Sequence, residues 1–175
     1  PNAFNTRGCS ILGNSMYNIG HTPMYISRFD DGVIANNILY EVNTGGEGGI
    51  YGTSIDILTS SRNVISGNTL KANAPHAFNV GIRLLNSDFN KVINNYLYDF
   101  TSYGILFTDG ATDNVVEGNF IDGVSGAGTY GIVSGGSDIN NIIKNNHIIN
   151  VIAGRYSISS GNFLTEFDVV NGKNI

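Results

Sequence analysis

Apolar and polar side chains alternate in short runs along the whole chain. Segments such as 55–57 (Ile-Asp-Ile) and 82–84 (Ile-Arg-Leu) place apolar side chains at every second position. Successive side chains of a β-strand point to opposite faces, so this period of two is typical of strands. No segment keeps the i, i+3, i+4 spacing of an amphipathic helix over three turns, and the apolar residues are mainly Ile, Val, Tyr and Phe. These residues favour strands, so the pattern predicts an all-β chain.

A motif of the form Asn-x-[Val/Ile]-x-[Gly/Asn]-Asn-x-[Leu/Ile] recurs along this strand pattern. Its clearest copies are 63–70, 90–97, 114–121 and 141–148, and weaker copies contain Asn14, Asn37 and Asn162. The second asparagines of the first six copies are separated by 23, 31, 27, 24 and 27 residues. Repeats of this length indicate a solenoid in which each copy forms one coil.

A second short apolar element precedes most copies of the motif, at 24–26, 55–57, 82–84, 105–107 and 132–134. The distance from this element to the motif asparagine is 13 or 14 residues, whereas the distance onward to the next element varies from 10 to 18. Parallel strands need a connection of a dozen or more residues, and the rest of the coil supplies it. The predicted fold is a right-handed parallel β-helix of about six to seven coils, with three short parallel sheets and insertions on one corner.

The asparagines of the motif are predicted to form two columns, because the two in each copy stand five residues apart. Asparagine tolerates the left-handed backbone of a sharp bend. Its side-chain amide can also donate to one neighbouring coil and accept from the other. We therefore expect structural roles for these residues.

Length and charge restrict the function classes. The chain has 175 residues, net charge −5 and 13% charged residues, which argues against a nucleic-acid partner. No apolar run is long enough to span a membrane as a helix.

We expect one domain over 1–175, with a partial first coil at 1–16, regular coils at 17–150 and an irregular closing segment at 151–175, where the register fails. The start at Pro1 without a capping helix suggests a fragment of a longer chain. Cys9 is expected to be a small buried apolar side chain.

The Asn-rich, Gly-Ile-containing repeats resemble the right-handed parallel β-helices of the pectate-lyase-like superfamily. Similar repeats occur in NosD-type proteins, polysaccharide lyases and epimerases, and bacteriophage tailspikes. The resemblance covers roughly residues 9–165. It implies a polysaccharide partner and an extracellular or virion-surface location. The Tyr-Gly pairs at 51–52, 103–104 and 130–131 lack the following Asp-Pro-His that a C5-epimerase would show.

Glycan cleavage is one functional expectation from this resemblance. A lyase needs a base and a cation that stabilises the anion formed, and a hydrolase needs two carboxylates facing one bond. Lys71 is a further cationic candidate beside four expected catalytic residues. These four are Glu47, Asp56, His76 and Arg83. Asp56 and Arg83 should lie side by side in adjacent coils, and the simpler interpretation of them is an exposed ion pair.

A line of outward-facing residues on the third strands is a candidate binding surface. Exposed tyrosines in a line are unusual unless something stacks on them, as sugar rings do. They could equally cover loop backbone or a neighbouring subunit. The line contains Tyr17, Tyr40, Lys71, Tyr98 and Asp122. The expected substrate-binding set is Tyr40, Lys71, Tyr98 and Asp122, with Tyr130 at the end of a Gly-rich segment.

Two non-catalytic alternatives remain open from the sequence. A structural or adhesive shaft, as in a phage fibre, would bury Leu106 and Val133 against other chains, for example in a homotrimer. The histidines at 21, 76 and 147 fall at different positions of their coils, so they predict no metal site. No cofactor is expected, although a single Ca²⁺ held by loop carboxylates and carbonyls stays open.

Overall fold

The computed structural model of the protein describes residues 5–42, 52–71, 78–123 and 130–165. These residues contain no helix and form short strands throughout. The strands, in chain order, are β1 Thr6–Arg7, β2 Ser10–Leu12, β3 Ser15–Ile19, β4 Met24–Ser27, β5 Phe29–Asp30, β6 Val33–Ala35, β7 Ile38–Val42, β8 Thr53–Leu58, β9 Val64–Ser66, β10 Thr69–Lys71, β11 Phe78–Leu85, β12 Lys91–Ile93, β13 Tyr96–Tyr98, β14 Phe100–Thr108, β15 Val115–Glu117, β16 Phe120–Asp122, β17 Tyr130–Ser134, β18 Ile142–Lys144, β19 His147–Ile149, β20 Gly154–Ser157 and β21 Phe163–Thr165.

Three long parallel sheets run along the molecule. Sheet A contains β4, β8, β11, β14, β17 and β20; sheet B contains β2, β6, β9, β12, β15, β18 and β21; sheet C contains β3, β7, β10, β13, β16 and β19. Each strand pairs in parallel with its equivalents one coil earlier and later, and β1 pairs separately with β5. The predicted parallel β-helix is confirmed. It has five complete coils, from β4 to β19, with a partial coil at each end, so the expected count of six to seven was slightly high.

The three corners of the coil differ in length. The connection from sheet B to sheet C is two residues in every complete coil, and the connection from sheet A to sheet B is five to seven. The connection from sheet C to sheet A ranges from the single residue Asp99 to the ten residues 43–52. All three internal segments outside the described residues, 43–51, 72–77 and 124–129, belong to this third connection. Insertions therefore fall on one corner, as predicted.

Two ladders of asparagine side chains hold successive coils together at the constant corners. In each ladder, Nδ2 donates to the Oδ1 of the next coil at 2.9–3.1 Å, and that Oδ1 also accepts a backbone N–H. One ladder contains Asn14, Asn37, Asn68, Asn95, Asn119 and Asn146, and the other contains Asn63, Asn90, Asn114, Asn141 and Asn162. The two predicted columns are confirmed, and most of these side chains are fully buried.

The left-handed backbone of each bend lies one residue before the ladder asparagine. Asn36, Asn94 and Asn145 have φ of 54–55°, and Gly67 and Gly118 have φ of 62° and 66°. The prediction that the ladder asparagines themselves take this conformation was wrong. The two tasks are separated, because the ladder amide must point inward to its neighbours while the preceding residue turns the chain.

Inward side chains of all three sheets form one continuous core. Ile57 from sheet A, Ile65 from sheet B and Leu70 from sheet C are fully buried in one coil, and their equivalents repeat this arrangement along the axis. Gly104 lies within strand β14 of sheet A. A Cβ at Gly104 would meet Ile121 Cγ2 and the Gly131 carbonyl oxygen, both at 2.6 Å. Glycine at this position therefore allows the coils to pack closely.

The structure corrects two expectations about the ends of the chain. Residues 151–165 do not lose the register, because β20 pairs with β17 and β21 pairs with β18. Asn162 pairs with Asn141, so it belongs to the second ladder and does not follow Asn146. Cys9 is exposed, because it lies at a bend in the first partial coil with no earlier described coil to cover it.

Candidate functional site

The predicted line of outward-facing residues is present on sheet C. Parallel register pairs Tyr17 with Tyr40, Tyr40 with Lys71, Lys71 with Tyr98, and Tyr98 with Asp122. We call these five residues the sheet C row. Each third strand is only three to five residues long, and the second side chain of each strand points into the core. The flanking side chains therefore point outward, and the fixed two-residue turn before each strand keeps them aligned from coil to coil.

Lys71 lies in the middle of the sheet C row between two phenol rings. Its Nζ is 5.6 Å from the centre of the Tyr40 ring and 5.3 Å from that of Tyr98. An ammonium within about 6 Å of a ring centre is attracted to the negative face of the ring. Both rings therefore hold the ammonium at the surface.

A second aromatic row lies beside the first one on the same face. Tyr96 stacks on Phe120 with ring centres 4.9 Å apart, and Phe120 stacks on His147 at 5.0 Å. The interplanar angles are 8° and 17°, so the three rings form a column along the helix axis. Sequence reasoning missed this column, although all three residues occupy the same variable position of the motif. That shared position was the signal that could have revealed it.

The stacked arrangement changes how this face can bind a ligand. Rings in a column direct their faces to one another, so they direct their edges and phenol hydroxyls to solvent. The ring edge carries partial positive charge. Stacking of a sugar on a ring face therefore requires a ring outside such a column. Tyr17 is 57% exposed and tilted by 59° from Tyr40, so it is the ring of the sheet C row most open to stacking.

Asp122 ends the sheet C row as a buried carboxylate, only 7% exposed. Its Oδ1 accepts a hydrogen bond from Asn150 Nδ2 at 2.9 Å. Burial raises the pKa of the neighbouring Tyr96 phenol above its ordinary value, and the charge of Asp122 raises it further. The carboxylate and the exposed amide of Asn150 together supply an acceptor and a donor at one end of the row.

Asp56 and Arg83 form an ion pair on the outer face of sheet A. Their strands pair them directly, as expected, and Arg83 donates from Nε to Asp56 Oδ1 at 2.8 Å and from Nη2 to Oδ2. Asp56 is 1% exposed and Arg83 is 7% exposed. The expectation of an exposed pair was therefore wrong. Both oxygens of Asp56 bind the guanidinium, so the carboxylate would have to leave Arg83 before acting as an acid or base.

Among the remaining predicted site residues, the structure describes Tyr130, which lies in neither cluster. Tyr130 begins β17 in sheet A, where its ring lies 6.5 Å from that of Tyr103. It is therefore separate from the sheet C row. Glu47 and His76 lie outside the described residues. Within 5–42, 52–71, 78–123 and 130–165, no three His, Cys, Asp or Glu side chains are grouped to hold a metal ion. No helix in these ranges could cross a membrane.

A family model for the right-handed β-helix region matches residues 2–172. The chain belongs to this family. The solved structures that resemble this β-helix include a protein of Parabacteroides merdae ATCC 43184 described as a candidate glycosyl hydrolase. The TM-score is 0.59 at 11% identity, with 87% of this chain and 81% of that chain covered. This comparison supports the fold of the β-helix. No curated protein matches the chain in sequence.

Proposed function

We propose that this β-helix binds a polysaccharide along the outer face of sheet C. The observation that carries the proposal is the sheet C row, which stays in register over five consecutive coils and extends for about 19 Å at the ordinary strand spacing. It presents phenol hydroxyls, one ammonium and one carboxylate on a flat wall. Such a surface suits an extended polymer whose hydroxyl groups can donate and accept along its length.

The proposed mode of binding is mainly hydrogen bonding. Ring edges, phenol hydroxyls and the Lys71 ammonium attract oxygen atoms, because each carries positive partial or full charge. Tyr17 supplies the stacking platform at one end. The description of the Parabacteroides protein as a candidate glycosyl hydrolase is in keeping with a carbohydrate ligand for this chain.

Binding to an array of bacterial and plant polysaccharides tests the proposal. The wild type should bind at least one glycan, and Tyr17→Ala should weaken that binding about five- to tenfold through loss of an aromatic contact. Tyr25→Ala is the matched control, because Tyr25 is 61% exposed on the outer face of sheet A. Its affinity should stay within about twofold of the wild type.

Two results would contradict this assignment. A loss confined to Tyr25→Ala would move the binding surface to sheet A. Absence of binding to every glycan of the array, with the protein folded by circular dichroism, would remove the carbohydrate proposal. The interpretation as a structural or adhesive shaft would then remain. That interpretation predicts a homotrimer, and analytical ultracentrifugation would show whether the chain forms one.

Cleavage of a glycan on the outer face of sheet A is a second proposal, separate from binding on sheet C, and the buried ion pair on sheet A favours it. Arg83 is fixed on both carboxylate oxygens of Asp56, so Asp56 would position the cation that stabilises an anionic intermediate. Release of new reducing or unsaturated ends should then fall strongly in Arg83→Ala, Asp56→Asn and Glu47→Gln. Cleavage that survives all three substitutions would move the catalytic site elsewhere, and absence of cleavage would leave binding alone.

A further inference from the structure

The sheet C row carries two unlike charges, and neither has an ionic partner among the described residues. Lys71 contacts two phenol rings and forms no ion pair with any carboxylate in the described residues. Asp122 accepts a hydrogen bond from the neutral amide of Asn150 and likewise pairs with no lysine or arginine in those ranges. The other described ion pairs join Arg62, Arg83 and Lys144 to nearby carboxylates.

Burial makes the unpaired charge of Asp122 informative. Charged side chains that are removed from water normally have an ionic or metal partner, because desolvation disfavours the charge. Asp122 is 7% exposed and has only an amide donor. Asp122 therefore has no cationic partner within the described residues. Lys71 is half-buried between its rings and has no anionic partner in the same part of the chain.

The two charges cannot neutralise each other. Tyr98 lies between them in register, which separates their strands by two strand spacings, about 10 Å. An ion pair needs nitrogen and oxygen within about 4 Å. The row thus keeps a positive and a negative position apart, in a fixed order along the helix axis.

We propose that the ligand of the sheet C row is a polymer in which acidic and amino sugars alternate. A sugar carboxylate pairs with Lys71, and a sugar ammonium on another unit of the same polymer pairs with Asp122 and Asn150. The inference rests on the proposed function and specifies its substrate class.

A set of four polymers with the same backbone tests this inference. The starting polymer alternates glucuronate and N-acetylglucosamine and is anionic. Removal of the acetyl groups makes it zwitterionic, reduction of the carboxylates makes it neutral, and both treatments make it cationic. Affinities for the wild type are measured at low and high salt. The zwitterionic form should bind at least about tenfold more tightly than the other three, and the advantage should shrink with salt.

Two conservative variants assign the effect to the two charges. Lys71→Gln should remove the gain in affinity that the sugar carboxylate provides and keep the gain that the sugar amine provides. Asp122→Asn should remove the gain from the sugar amine and keep the gain from the sugar carboxylate. Lys91→Gln and Asp109→Asn are matched controls, because both residues are exposed outside sheet C and carry the same charges. Both controls should keep the wild-type ranking of the four polymers.

Equal binding of all four polymers by the wild type would overturn the inference and leave polysaccharide binding intact. A zwitterionic preference that survives in both Lys71→Gln and Asp122→Asn would also overturn it. Absence of binding to all four would overturn it as well, and the wider glycan array would then decide the proposed function separately.

Discussion

The ladder asparagines join neighbouring coils through several side-chain hydrogen bonds. Asn95 Nδ2 donates to Asn119 Oδ1 and to the carbonyls of Ile65 and Ile93, and its Oδ1 accepts from Asn68. All of these groups lie at a constant two-residue corner. The residue therefore stabilises three successive coils at once.

Replacement of one ladder amide by a carboxylate should strongly lower the free energy of unfolding. Asn95→Asp puts a second oxygen against Asn119 Oδ1 and the Ile65 carbonyl, so we expect the free energy of unfolding to fall by about 3 kcal/mol or more. Asn86→Asp is the matched control, because Asn86 is exposed at a bend. Urea denaturation measures both. Equal stability of the two variants would show that the ladder amides contribute little.

The buried Asp56–Arg83 pair requires a stability control before any loss of activity is interpreted. Arg83→Met alone leaves a carboxylate buried without its cation, and we expect a loss of about 3–5 kcal/mol. The double variant Asp56→Leu with Arg83→Met should recover most of it, since no charge remains buried. Thermal and urea denaturation of the three proteins measure this. A double variant as unstable as the single one would show that packing, and not charge, is decisive.

Tyr96 links pH to stability, because partial burial and then the charge of Asp122 disfavour its ionised phenol. Burial raises the pKa of the Tyr96 phenol above 10.0, and the charges of Asp122 and Tyr98 contribute in the same direction. The fold thus favours the neutral phenol. Its contribution is fully present below pH 10 and is lost as the pH rises through the folded-state pKa.

Tyr96→Phe should therefore make stability less dependent on pH in the alkaline range. The difference in the free energy of unfolding between wild type and variant should change between about pH 9 and pH 11 in favour of the variant. An NMR titration should also show a lower pKa for Tyr96 in Asp122→Asn. A difference that is constant over this range would contradict the assigned cause.

At the scale of elements, the glycine inside strand β14 sets how closely the coils can stack. Gly104→Ala should be destabilising by about 2–3 kcal/mol, because the added Cβ would meet a backbone carbonyl and Ile121 at 2.6 Å. Gly136→Ala is the control, since a Cβ added there would have no neighbouring atom within 4 Å and its φ is not left-handed. Its stability should change by no more than about 0.5 kcal/mol. Similar losses in both variants would contradict the packing explanation.

The sequence was sufficient for most of the elements because the repeat fixes both spacing and direction. The five-residue separation of the motif asparagines predicted both ladders, and the alternation in 55–57 and 82–84 predicted the neighbours Asp56 and Arg83. The burial of that pair was not predictable, because it depends on what covers the outer face of sheet A. The left-handed backbone conformation was predicted for the ladder asparagine and lies one residue earlier. Asparagine suits both the bend and the ladder, so the sequence did not separate the two roles.

The candidate site was only partly predictable for a related reason. Tyr17, Tyr40, Lys71, Tyr98 and Asp122 could be aligned from the repeat alone. The column of Tyr96, Phe120 and His147 was missed although the three residues share one motif position, because the residue type there differs from copy to copy. Tyr17 lies outside this column and is the most exposed ring of the sheet C row, so it is the ring best placed to stack on a sugar.

At the scale of the whole molecule, the β-helix offers three flat faces and one corner of variable length. The sheet B face is mainly aliphatic with one Glu117–Lys144 ion pair at 3.2 Å, and the sheet A face holds the buried ion pair. The sheet C face alone combines, among the described residues, a row of phenols with unpaired charges of both signs. This contrast is why we assign ligand binding to sheet C.

Hydrogen–deuterium exchange with and without a bound glycan from the array tests this assignment most directly. We predict added protection of backbone amides from exchange in the sheet C strands β7, β10, β13 and β16. The sheet B strands β6, β9, β12 and β15 should change little. Protection confined to sheet A or sheet B strands, with sheet C unchanged, would contradict it.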